Sequence, residues 1–431
     1  MSRDLYEELM TGFDNKLSHS GVNGERLASR LHELSRIGLD DNGGVTRPGY
    51  SKEEKQAKEL VIRWMKEIGI NVTADGAGNV FGRMEGKQDG PAIVSGSHVD
   101  SVPNGGHFDG PLGVLSALEV AESWKETGYI PEKTYEVAIF SDEEGSRFKS
   151  SLTGSRAFMG QITKEEMNKL HDVSGKSFEE VLHEYGSTIE EYLNAGKTNK
   201  HIDTFVEVHI EQGKILEQEN QPVGIVSGVA GPALVEFTFT GESRHAGNTP
   251  MNDRRDPLIA ASMFIQAVEK FPEQVSETAV ATVGKLNVRP NGFNVIPQEV
   301  KLVVDLRDIY ESTRDELLDL ITQEAKKIAE ERNIDLGIAI NAKIKPLPIQ
   351  EELQGKLADS LDAFDMEPIK IPSGAGHDAM IIGSKFPSAM LFVRSKDGLS
   401  HNPGEWTSLN DCVYGVHTLK SFVERLMEGK S

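Results

Sequence analysis

The 431-residue chain has one cysteine, Cys412, so it forms no internal disulfide, and a disulfide framework of the secreted kind is excluded. Positive charge is scarce: 46 Lys and Arg face 68 Asp and Glu, a net charge of −22. A nucleic-acid binder carries the opposite balance, an anionic membrane surface would repel this one, and no basic run offsets it. No stretch approaches the roughly 18 apolar residues of a spanning helix. The opening MSRDLYEELM lacks the apolar core of a signal peptide. Repeats and low-complexity tracts are also missing. What is there is an ordinary globular composition, 38% hydrophobic and 26% charged. At roughly 150 residues per domain the length suits two or three domains. These features predict a cytoplasmic protein with neither nucleic acid nor membrane as partner.

The apolar residues are ordered into alternating elements. Ala57, Leu60, Val61, Trp64, Met65 and Ile68 mark the buried face of a helix over 51–68, opened by a Ser51–Glu54 capping box and stopped at Gly69. Two β-type runs follow in 70–86, then strand 92–98 (AIVSGSH), helix 110–127 and strand 134–140 (TYEVAIF). Strand, helix, strand predicts an α/β fold with a mainly parallel, helix-covered sheet. Ligand sites in such sheets lie beyond the carboxyl ends of the strands. Residues 151–200 are polar and helix-leaning, and 205–213 (FVEVHIEQG) alternates as a strand. From about 229 the order becomes strand 233–240, helix 256–271, strands 279–288 and 299–306, helix 314–332 and strand 334–342. That β-α-β-β-α-β succession is the ferredoxin-like arrangement. The expected organisation is an α/β domain in 1–228 and 344–431, interrupted by an inserted domain in 229–343.

Chemistry-bearing residues gather where strands are predicted to end. His98 closes strand 92–98, Asp100 follows it, and Asp109 sits in a Gly-rich turn. Imidazole and carboxylate suit Zn²⁺ or Mn²⁺, and Asp100 could hold the His98 ring. Glu143 and Glu144 follow strand 134–140 and could divide the work, one binding a cation and one acting as base. His209 lies on the polar side of 205–213, and His401 in LSHNPGEW. Taken singly, an H-x-D is more often a strand cap and an acidic pair a solvated loop. Their shared placement at strand ends raises a metal site to an equal alternative. Six further histidines, His19, His32, His171, His183, His201 and His417, read as structural or exposed, and Cys412 as a plain thiol.

Six segments in order, GSHVDSVPNGGHFDGPLG, SDEEGSRF, FVEVHIEQG, GESRHAGNTPM, NVIP and GLSHNPGEW, resemble the amidase/hydantoinase/carbamoylase branch of the M20 zinc-dependent exopeptidases. The likeness runs from about residue 25 to the end. It implies a zinc-exopeptidase-like α/β domain interrupted by a ferredoxin-like lid that makes a homodimer.

The same resemblance assigns roles. His98, Asp109 and His209 would hold one divalent ion, and Asp109, Glu144 and His401 a second, with Asp109 bridging; Zn, Mn, Co or Ni suits such ligands. Glu143 would be the general base. Two divalent ions set against the carboxylates of Asp109, Glu143 and Glu144 leave one net positive charge, which favours an oxyanion. From the lid, His245 would steady that oxyanion, while Asn294 and Arg307 would hold a substrate carboxylate. The bland alternatives are a surface histidine in a turn and an edge-strand Arg307 paired to Asp305 or Asp308. Gln212 would bind a ureido group, Gly374 and Gly376 would admit the ligand closely, and His377 would touch the ligand or buttress the metal ligands. The implied substrate is a small ureido acid, an N-carbamoyl-L-amino acid first and allantoate as rival. Dipeptides, and a non-catalytic binding protein retaining the fold, are the further alternatives.

Overall fold

The computed structural model describes residues 4–197 and 201–428. The first three residues of the MSRDLYEELM opening and the last three of the 151–200 stretch lie outside the described residues. The strands that matter are β1 (Asn71–Ala74), β2 (Val80–Met84), β3 (Ala92–His98), β4 (Tyr135–Phe140), β5 (Ile202–Ile210), β6 (Val223–Val229), β7 (Gly231–Thr240), β8 (Val280–Arg289), β9 (Glu299–Asp308), β10 (Asp335–Lys343) and β11 (Ser388–Val393). The chain divides into two compact units. One comprises Met1–Val226, Ile349–Ile371 and His377–Ser431; the other comprises Ser227–Pro348 and Pro372–Gly376.

In the first unit the strand order is β1-β2-β4-β3-β5-β11-β6. The inner four, β4, β3, β5 and β11, run parallel, and antiparallel pairs flank them. β3 and β11 are buried along their whole length, as strands covered on both faces must be. The helix Pro111–Thr127 follows β3 and is buried over most of its length, because it packs on β3 and also under the helix Leu409–Met427. Cys412 is buried in that last helix, and Trp64 and Trp124 lie in the core. The polar 151–197 stretch forms short helices around a core of its own that includes Phe148, Phe178 and Tyr192.

One local expectation changes. Ser51 does cap the helix Lys52–Glu67, but the Glu54 side chain accepts from the Tyr50 N–H at 2.7 Å rather than from Ser51, and pairs with Lys58 at 2.7 Å. A buried carboxylate takes the nearest donors that neutralise it, and Lys58 supplies a charge that a backbone N–H does not.

The second unit is a four-stranded antiparallel sheet in the order β10-β7-β9-β8, the ferredoxin-like order for a β-α-β-β-α-β chain. β7 and β9 alternate strictly between buried and half-buried residues. Phe237, Phe239, Val300, Leu302 and Val304 therefore meet the helices Pro257–Val268 and Glu311–Glu331 in one core. β8 forms an open edge of this sheet, with Val280 and Leu286 exposed. Among the described residues no helix is long and apolar enough to cross a membrane.

Candidate metal centre

The four parallel strands of the first unit point their carboxyl ends the same way, and each delivers chemistry there. β3 ends on His98, β4 runs into Glu143 and Glu144, β5 carries His209, and the segment after β11 carries His401. Asp109 stands just ahead of the helix that begins at Pro111. Between them, Gly110 takes a φ of +83° and lies against the His98 ring so closely that a Cβ would collide with it.

These residues form two donor groups that share one carboxylate. His98, Asp109 and His209 make the first, and Asp109, Glu144 and His401 the second; within each, one ligand atom per residue lies within 4.8 Å of the others. Asp109 divides its oxygens. Oδ1 faces His209 Nε2 at 3.1 Å and His98 Nε2 at 3.7 Å, while Oδ2 faces His401 Nε2 at 3.6 Å. Glu144 closes the second group, 3.2 Å from His401 Nε2. Glu143 belongs to neither group, yet its carboxylate is 3.7 Å from His98 Nε2.

The donor set fits a cation. His98 Nδ1 lies 3.1 Å from the Asp100 carbonyl and His209 Nδ1 3.0 Å from the Ile210 carbonyl. A carbonyl only accepts, so Nδ1 carries the proton and Nε2 presents a lone pair toward Asp109. His98 Nε2 is buried without a hydrogen-bond partner. Two lone-pair donors aimed at a carboxylate repel one another unless a positive charge stands between them.

The pKa directions carry the same message. Burial opposes charge on His98, but Glu143 and Asp100 outweigh it and hold the ring well above its ordinary value. Burial would raise Asp109, but His209, His98 and the Ser400 hydroxyl hold it well below the usual carboxylate range. Burial, with Glu144 and Asp378 adding to it against His98, pushes Glu143 well up. The hydrogen bond that His401 gives to Glu144 lifts its ring to about 9. A buried cluster that pulls its imidazoles toward protonation lacks positive charge, which divalent cations supply.

The ligands are braced from behind. The Asp100 carboxylate accepts the backbone N–H groups of both Glu143 and Glu144 at 3.1 Å, so it aims the acidic pair, and it is the Asp100 carbonyl that orients His98. Glu207 accepts from Ser97 Oγ at 2.7 Å and from the Ala379 N–H at 2.8 Å. That second bond anchors the segment in which His377 packs its ring on His209, centroids 4.6 Å apart. His377 is 1% exposed.

Residues 94–425 match the model of peptidase family M20/M25/M40. The chain belongs to that family. An N-carbamoyl-L-amino acid amidohydrolase from Geobacillus stearothermophilus is 41% identical over 410 residues, covering 95% of this chain and all of that protein. An allantoate amidohydrolase from Bacillus subtilis is 36% identical, covering 91% of this chain and 95% of its own. The crystal structure of a hydantoinase/carbamoylase family amidase from Burkholderia multivorans superposes with a TM-score of 0.87 at 35% identity, covering 94% of this chain and 98% of that one.

The remaining candidates in this M20 chain are placed as follows. Gln212, at a φ of +56°, gives its side-chain N–H groups to Asp109 Oδ2 at 2.8 Å and Ser400 Oγ at 3.0 Å. In the second unit, the exposed His245 accepts the N–H groups of Gly247 and Asn248 on Nδ1 at 3.1 and 3.2 Å. In its neutral form His245 therefore carries its proton on Nε2, which leaves that nitrogen as a donor. The Asn294 carbonyl accepts from Ala246 N–H, so Asn294 and His245 stand on neighbouring backbones. Arg307 grips Asp305 with two nitrogens at 2.7 and 3.0 Å and gives a third bond to the Gly374 carbonyl at 2.6 Å. Its pairing to Asp305 matches the bland reading, but β9 is an inner strand and not an edge. Gly376, two residues after Gly374, is exposed. Ser400 and Glu405, both in contact with Asp109, have no counterpart among the sequence candidates.

Proposed function

We propose that this M20 enzyme hydrolyses the ureido C–N bond of N-carbamoyl-L-amino acids, giving the L-amino acid, CO₂ and ammonia, with two divalent ions (Zn, Mn, Co or Ni) in each subunit of a cytoplasmic homodimer. The observation that carries the reading is the pair of donor groups sharing Asp109, with Glu143 beside them and outside both. The 41% identity to an N-carbamoyl-L-amino acid amidohydrolase supports the substrate class, and the 36% identity to an allantoate amidohydrolase makes allantoate the second reading.

When bound, divalent cations supply a Lewis acid for the carbonyl and lower the pKa of a water. The chain does the rest. Glu143, raised by burial, takes the proton of the attacking water and passes it to the amino-acid nitrogen as the bond from that nitrogen to the carbonyl carbon breaks. The carbamate released decays to CO₂ and ammonia. His245 Nε2–H is suited to donate to the developing oxyanion. Arg307 keeps an N–H on each terminal nitrogen beyond its bonds to Asp305 and Gly374, enough for a substrate carboxylate, while Asn294 stands with His245 beyond the opposite end of β9. The open β8 edge with Val280 and Leu286, and exposed Leu258, Ile259 and Met263 on the helix Pro257–Val268, support pairing through the 229–343 domain.

Ammonia release from N-carbamoyl-L-methionine, allantoate and, by amine release, a dipeptide, assayed in parallel with added Mn²⁺, tests this. The carbamoyl substrate is expected to lead in kcat/KM by about tenfold or more. A lead for allantoate would move the assignment to the second reading. Dipeptide cleavage without ureido turnover would overturn both.

A further inference from the structure

Glu405 is 2% exposed and belongs to neither donor group, yet it touches the bridging ligand's backbone. Its Oε1 accepts the N–H groups of Phe108 at 2.8 Å and Asp109 at 3.0 Å. Its carboxylate lies where a Cβ on residue 106 would be, so Gly106 is the residue that admits it. Two further contacts run alongside. The Ser400 hydroxyl donates to Asp109 Oδ2 and lies 3.4 Å from Glu405 Oε2, and Phe108 meets Trp406 edge-on at 5.8 Å between centroids. Together they fasten the 106–109 turn to the 400–406 segment, and His401 is part of that segment.

The two donor groups are held differently. His98 and His209 are fully buried on strands, each with Nδ1 on a backbone carbonyl. The His401 side chain is 50% exposed, on a loop, and its backbone sits at a φ of +55°. A non-glycine residue in that region stays there only when its surroundings hold it. The distance from His401 to Asp109 Oδ2 is therefore set by the fastening and not by the sheet. We propose that Glu405 is a positioning residue for the Asp109–Glu144–His401 half of the centre, and for that half alone. The inference rests on the two-cation reading above.

Co²⁺ titration of the metal-free full-length protein, by calorimetry and visible absorption, separates the two. The wild type is expected to bind two ions, and H401A identifies the site that depends on His401. E405A should weaken that same site about 10- to 100-fold, the range for loss of an outer partner, and leave the other within about threefold. E405Q keeps an oxygen for both N–H groups and should restore both sites to within about threefold of wild type. G106A, whose methyl displaces the carboxylate, should repeat the E405A result, and it decides the matter if E405A does not fold. Unchanged binding at both sites in E405A or G106A, or equal weakening at both, would overturn the inference. A wild type that binds fewer than two ions would instead bring down the two-cation reading, and this inference with it.

Discussion

Glu143→Gln is expected to lower kcat by about 10³-fold while the protein keeps its metal, since general-base catalysis is typically worth 10²- to 10⁴-fold. The residue stands outside both donor groups, so no ligand is lost. Its carboxylate nevertheless lies 3.7 Å from His98 Nε2, close enough to serve whatever the cations hold. Asp100 fixes its backbone through the N–H at 3.1 Å, and that bond survives the substitution. Glutamine has the same shape and cannot take a proton. Metal analysis beside steady-state kinetics reads the two effects separately. Full activity in the variant would remove Glu143 from the reaction, and loss of metal together with activity would make it a ligand.

Asp109→Ala is expected to act on both cations at once. Every other ligand belongs to one group, whereas Asp109 faces His98 and His209 with Oδ1 and His401 with Oδ2. Both binding steps should weaken by more than about 100-fold, beyond the cost of losing an outer partner, and turnover should fall to background. Equilibrium dialysis against Mn²⁺ checks this. Retention of one tight ion in the variant would show that Asp109 serves a single group.

The elements of the fold were legible because their signals are local. Strand 92–98 and the two ends of helix 110–127 are written in consecutive residues, and the β-α-β-β-α-β succession of the second unit needs only the order of runs. His98, Glu144 and His209 could be placed as candidates because a parallel sheet delivers residues to one edge, but their sharing of Asp109 became an expectation only through the family resemblance. Contacts between distant backbones were not legible. Glu405 holds the N–H of Phe108 from 297 positions away, and neither segment carries a periodicity that announces it. Glu54 was read as a partner of the Ser51 N–H, because a capping-box pattern does not register that Lys58 and the Tyr50 N–H offer a buried carboxylate more. The bland alternative for Arg307 puts it on an edge strand, whereas β9 is an inner one, because strand order in a sheet follows from pairing and not from sequence position.

In the proposed centre five side chains gather two cations about one carboxylate. Anomalous diffraction from crystals of the Mn²⁺-loaded enzyme tests this directly. Two peaks are expected, about 3.5–4 Å apart, as in two-metal hydrolytic sites, one within reach of His98 and His209, the other of Glu144 and His401, and both on Asp109. One peak alone, or peaks away from Asp109, would contradict it.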